Sequence, residues 1–296
     1  MAEINLSNLA RLKPATIPQI NPLPEYLATD RLHLIYEDTK SVLQVPWMGV
    51  VTMAFAHYQN FYDTLWGGLR DLAGSAEFIA ACRALRSHTE QQATSFGSAR
   101  ISDDLKSMGY SDREIDDVRE QIEIFSHGNM PYVLIATAAR LLLEDFSLSS
   151  TKLCTPFKGR HGPTTSNHLT LIEAHHADAP TLSVYEDIKA TLGLPFVNTD
   201  YRALARWPSY FQLAWSNAKP HIQTAAYEDA VTSIHDVAVK QVLSLPNPAG
   251  LSAKSLKAAA AKDAPIEEIR EVVRLFQWLL PGLVTNIALM QHQLRL

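Results

Sequence analysis

Cysteine is nearly absent from this chain: among 296 residues only Cys82 and Cys154 carry thiols. They form neither a Cys-x-x-Cys pair nor a metal-ligand spacing, so a disulfide scaffold and a dithiol redox centre are excluded and a reducing compartment is expected. Glycine is sparse, with 12 residues. None builds a Gly-x-Gly-x-x-Gly turn, a P-loop or a Gly-x-Ser-x-Gly elbow, which argues against nucleotide-binding enzymes and α/β-hydrolases. An excess of one charge is missing too: 26 basic residues against 31 acidic ones leave a net charge of −5. That balance gives no footprint for nucleic acid and no basic face for an anionic membrane. No continuous apolar run reaches the ~18 residues of a membrane span. Glu3 followed by Pro14, Pro18, Pro22 and Pro24 does not read as a secretory signal. A cytoplasmic protein is expected.

What is present is an ordinary globular composition, 47% hydrophobic and 19% charged. Apolar residues recur at i, i+3 and i+4 through Phe78 to Leu85, Tyr210 to Trp215 and Ile234 to Leu243, and no Asn-Gly or Asp-Gly hairpin signal interrupts them. The expected fold class is all-α. Residues 1–29 read as an extended arm, because each proline denies helix to itself and to the residue before it.

The chain repeats itself. Tyr36-Glu37-Asp38-Thr39-Lys40 recurs as Tyr185-Glu186-Asp187-Ile188-Lys189, and Leu43 to Trp47 as Leu192 to Phe196, at an offset of 149 (185 − 36). At the same offset Trp66 meets Trp215, which reads as a pair of core anchors. Farther on, Ile115, Val118, Ile122 and Phe125 match Ile266, Ile269, Val273 and Phe276 at an offset of 151 (266 − 115). Ser111 with Glu114 forms a capping box ahead of the first of these helices, and Pro265 marks the start of the second. The expected organisation is two tandem helical repeats, 30–148 and 168–296, forming an intramolecular pseudo-dimer. Residues 149–167, with Pro156, Gly159, Gly162 and Pro163, form the connector.

A duplicated unit supplies its own comparison. Polar residues present in only one half are candidates for function, and two replace apolar counterparts: Asp200 stands opposite Val51, and Asn129 opposite Leu280. A carboxylate in a core-like position is costly unless paired, and burial raises its pKa. The structural alternatives are a surface or N-cap Asp200 and an Asn129 that ends a helix after Gly128. The adjacent His175 and His176 lack the four-residue spacing of a helical metal pair, so no metal is expected.

The segments Ile35 to Trp47, His127-Gly128-Asn129-Met130-Pro131-Tyr132 and Asn198-Thr199-Asp200-Tyr201 with Trp207-Pro208 resemble the group I 2-haloacid dehalogenases. The resemblance spans about residues 30–296. It implies an all-helical pseudo-dimer with the site between the halves, pairing of subunits as homodimers, and no cofactor. It further implies that Asp200 activates water, that Asn129 orients it, and that Trp47, Tyr132, Val50 and Leu279 line the pocket for a small halogenated acid. Two departures leave the enantiomer open between D and both D and L. The D,L-acting members tend to show Gly-Asn-Pro-Lys-Tyr where this chain has Gly128-Asn129-Met130-Pro131-Tyr132, and an aromatic residue where Val50 stands. Attack by water on C2 inverts the centre. The rival readings are an aspartyl-ester intermediate on Asp200, a carboxymuconolactone decarboxylase-like protein, whose peroxidase activity would need the absent Cys-x-x-Cys, and a non-enzymatic carboxylate-binding protein.

Overall fold

The computed structural model describes residues 9–164 and 168–295. The first eight residues of the expected arm, residues 165–167 of the expected connector and Leu296 lie outside the described residues. Within them the chain forms helices α1 (Asp30–Leu43), α2 (Val50–Ala56), α3 (Gln59–Ala73), α4 (Ala76–Ser95), α5 (Ser102–Ser107) and α6 (Asp112–Leu143). After the connector come α7 (Ala179–Leu192), α8 (Thr199–Leu204), α9 (Pro208–Ile222), α10 (Ala225–Ser244), α11 (Ala253–Ala260) and α12 (Ile266–Gln293). The described residues contain no β-strand beyond an isolated bridge, Ser75 with Pro156, so the all-α expectation holds.

Local chemistry sets the boundaries. Ser75 and Thr224 accept hydrogen bonds from the third backbone N–H of α4 and α10, and Ser111 with Glu114 closes the expected capping box on α6. Helices α1 and α7 both end in a left-handed residue, Gln44 (φ 51°) and Gly193 (φ 64°). Gly193 adopts that conformation at little steric cost, whereas Gln44 is held in it by its own side chain. Its Oε1 accepts from the backbone N–H of His161 and Gly162, and its Nε2 donates to the Gly159 carbonyl. The connector is thereby fastened to the turn that leads into Trp47.

Several contacts recur at the sequence spacing. Trp66 Nε1 donates to Asp38 at 2.9 Å and Trp215 Nε1 to Asp187 at 2.7 Å. The Tyr36 hydroxyl donates to the Leu23 carbonyl and the Tyr185 hydroxyl to the Ile172 carbonyl. Both tryptophans are buried, in accord with their reading as core anchors.

Helices α6 and α12 pack against each other through the centre of the molecule. From Gln121 onward α6 is buried on nearly every side, as expected of a helix apolar all round. Helix α12 is long and apolar enough by length and composition to cross a membrane, although Gln277, Thr285 and Asn286 break its apolar run. Its apolar window is 83% buried within the protein, so it is the core helix of this fold. Pro131 and Pro281 lie inside these two helices, where each removes a backbone donor. They are 150 residues apart, one fewer than the offset of the preceding apolar positions. In that register Asn129 corresponds to Leu279, one residue before the Leu280 expected from the upstream spacing.

Candidate active site

Asp200 lies in the first turn of α8 and is 2% exposed. It is neither a surface residue nor the N-cap, a position that Asn198 occupies. Asn129 lies in the middle of α6, which continues to Leu143, so it does not end a helix. The two meet: Asn129 Nδ2 donates to Asp200 Oδ1 at 2.5 Å in a buried contact that spans 71 residues of sequence. Among the described residues Asp200 forms no salt bridge. Arg202, the nearby cation, is engaged by Glu173.

Burial pushes the Asp200 carboxyl up to about 6. The Asn129 hydrogen bond, the residue's own backbone N–H and the Arg202 charge pull the other way and keep the shift moderate. A carboxylate so placed is ionised at neutral pH and retains enough basicity to accept a proton, which is what a general base requires.

The aromatic candidates come together on the first half. The Tyr132 hydroxyl donates to the Trp47 carbonyl at 2.8 Å, and the two rings meet edge to face with centroids 6.1 Å apart. Trp47 packs directly on Gly128, where a Cβ would collide with the indole, so the glycine before Asn129 is a steric requirement. Gly49 is likewise filled by the Tyr132 ring. Tethers at three points hold the loop carrying Trp47: Tyr132 bonds to its carbonyl, Met48 N–H to Glu25 of the arm, and the Gln44 side chain to the connector.

The other two candidates are placed apart. Leu279 is buried in α12 and lines a cavity of about 90 Å³ with Asn198 and Asn286. Val50 is half-buried at the start of α2 and faces an open groove lined by Pro18, Tyr185 and Arg202. His175 and His176 lie on an exposed 3₁₀ turn with ring centroids 4.0 Å apart.

Two features escaped the sequence reading. Arg140 of α6 is buried, bonded to the carbonyls of Leu9 and Ala10, to Gln277 and to Glu144, and so ties the arm to both central helices. Beside Asp200, a second buried chain runs from the Tyr227 hydroxyl to Asn286 Oδ1, and from Asn286 Nδ2 to the Tyr201 hydroxyl at 2.9 Å. No local pattern announces either, because their partners lie 55 or more residues away in sequence, apart from Glu144.

A family model described as halocarboxylic acid dehydrogenase DehI matches residues 195–296. An (R)-2-haloacid dehalogenase of Rhizobium sp. (strain NHG3) is 44% identical over 82% of this chain and 95% of its own length. An (R)-2-haloacid dehalogenase of Pseudomonas putida is 35% identical over 98% and 97%. Among solved structures, a D-2-haloacid dehalogenase in complex with L-LA superposes with a TM-score of 0.88 at 34% identity. That match covers 97% of this chain and 100% of the other.

Proposed function

This chain belongs to the D-specific group I 2-haloacid dehalogenases, hydrolases that act on carbon–halide bonds, and on that premise we propose that it converts short D-2-haloalkanoic acids to L-2-hydroxy acids by direct attack of an Asp200-activated water. The observation that carries this reading is the buried Asn129–Asp200 contact. An ionised carboxylate kept from solvent and accompanied by an amide rather than a cation is stored basicity.

The amide N–H of Asn129 fixes one carboxylate oxygen, and its carbonyl can accept an O–H from the attacking water. The water gives its proton to Asp200 while its oxygen forms the bond to C2. The carbon–halogen bond breaks with its electron pair leaving on the halide. Approach opposite the leaving group inverts C2, and no bond to the protein forms. Positioning supplies much of the acceleration, since well-oriented reactants react as if at very high effective concentration. Trp47 and Tyr132, packed on each other beside Asn129, form one wall of the pocket, and their bulk favours short acids such as 2-chloropropionate.

Several readings accompany this one. The equivalent helices, the repeated Trp–Asp and Tyr–carbonyl bonds and the paired prolines support a tandem repeat folded as an intramolecular pseudo-dimer. Family membership supports pairing of subunits as homodimers, and the free thiols of Cys82 and Cys154 fit a cytoplasmic location.

The deciding experiment is halide release from separated D- and L-2-chloropropionate, with the chirality of the hydroxy acid determined. Release from the D enantiomer with formation of the L-hydroxy acid is expected. Release from neither overturns the reading.

A further inference from the structure

The internal repeat extends beyond the helices. Arg11-x-x-Pro14 of the arm recurs as Arg160-x-x-Pro163 of the connector, again at an offset of 149 (160 − 11). The two segments lie on opposite halves. A Cβ at Gly193, which ends α7, would meet Lys13 of the arm, and a Cβ at Gly162 of the connector would meet the carbonyl of Gln44, which ends α1. Lys13 and Gly162 are themselves 149 residues apart, as are Gln44 and Gly193.

Each segment borders a cavity of about 90 Å³. The one beside Leu279 has Leu192, Ile222, Tyr227 and Glu228 in its wall. The other has Leu43, Ala73, Phe78 and Ile79, each 149 residues earlier. The first half therefore has a cavity of its own, set between α1, α3, α4 and α6, with His161 of the connector in its lining. Neither Asn129 nor Asp200 lines it.

Its charge differs from that of its counterpart. Ile79 stands where Glu228 pairs with Arg11 in the second half, and no carboxylate is among the residues that line the first-half cavity. Of its polar groups, Arg86 is already neutralised: its guanidinium donates to both oxygens of Glu123 at 2.7 and 2.6 Å and to Glu90 at 2.8 Å. Burial pushes the Cys82 thiol up and the His127 imidazole down to about 4, and it lowers His161 as well, so all three are uncharged at neutral pH. The remaining cation is Arg83, exposed at the rim, near enough to act on His161 and in no ion pair among the described residues.

One hydrogen-bonding position is also open. The His127 ring lines the cavity, and its buried Nε2 meets no partner at bonding geometry. Buried polar atoms are seldom left over, and a neutral imidazole nitrogen can donate or accept. The His161 ring, 5.4 Å away between centroids, is held by the Val42 carbonyl at 3.2 Å.

A space that holds about three waters, an apolar wall and a single unpaired positive charge together select a small monoanion with an apolar body. We propose that the first-half cavity binds a short-chain monocarboxylate such as butyrate, with its carboxylate held at the rim by Arg83 and its chain among Leu43, Phe78, Ile79 and Met130. An exposed guanidinium makes a charge-assisted bond to the carboxylate, and the apolar chain is withdrawn from water.

The test titrates sodium butyrate, which carries no halogen, into the full chain with labelled histidines and follows the imidazole resonances of His127 and His161 by NMR. Saturable shifts of both are expected. In Arg83→Glu, an exposed change whose fold is checked by circular dichroism, the affinity should weaken at least ~tenfold, while KM for 2-chloropropionate stays within about twofold. Absence of shifts in the wild-type protein overturns the proposal, as does equal affinity in Arg83→Glu. So does a KM that weakens as much as butyrate binding, since the shifts would then report the catalytic site. Should the wild-type protein release no halide, the dehalogenase reading falls on that result alone, and the butyrate titration still decides this one.

Discussion

Asn129 and Asp200 lie on different halves of the chain and meet in a single buried hydrogen bond of 2.5 Å. The same bond holds the carboxylate in place and limits how far burial raises its pKa. Function and stability are therefore opposed at this position.

Asp200→Asn removes the base and is expected to lower kcat for halide release by at least ~10², the lower bound for losing a general base. The folded-state pKa of Asp200, about 6, lies above the ordinary carboxylate value, so the folded protein holds this proton more tightly than the unfolded chain does. Its contribution to stability is present at pH 4 and lost as pH rises through 6, leaving a net cost at pH 7. The variant should unfold a few degrees higher than wild type at pH 7, with the gap narrowing towards pH 4, as thermal melts at both pH values will show. An inactive variant that melts lower at pH 7 would contradict this account of the site.

The ionised form of Asp200 is the active one, so kcat/KM should be half-maximal near pH 6 and fall about tenfold per unit below it. Asn129→Ala removes a donor to the charged form and moves that acid limb to higher pH, in addition to lowering the plateau. A pH–rate profile whose limb stays in place after the substitution would show that the amide does not act on the carboxylate.

Single turnover in ¹⁸O-labelled water, with enzyme in excess, separates the two hydrolytic routes. Direct attack puts label into the first hydroxy acid formed. Unlabelled first product, with ¹⁸O appearing in the Asp200 peptide, would establish an ester intermediate instead.

Gly128→Ala places a methyl group against the Trp47 indole, in the middle of a buried helix whose backbone cannot yield. Alanine favours helix over glycine by about 1 kcal/mol, but overpacking of a closed core costs about 1–3 kcal/mol. The clash is expected to win. Denaturant titration should show a net loss of stability, and KM should rise as Trp47 shifts.

Gln44→Gly keeps the left-handed turn while cutting its three bonds to the connector. Limited trypsin digestion should then cleave after the exposed Arg160 faster than in wild type. Equal cleavage rates would mean that other contacts hold the connector.

Much of the fold could be read from the sequence, for reasons local to each segment. The 3.6-residue apolar period and the Ser111–Glu114 box each depend on neighbours within a few residues. The duplication made Asp200 and Asn129 visible as polar intrusions, since each could be compared with its counterpart. Arg11 was less legible. It belongs to an arm whose prolines indicate only what it cannot form, and it finds Trp278 267 residues away.

The sequence by itself determined the helices and their order, because propensity, capping and hydrophobic period act over one or two turns. Only the tertiary structure decided that Asn129 and Asp200 touch and that burial poises the carboxyl near 6. Those properties depend on packing between distant segments, where desolvation and steric volume act through space.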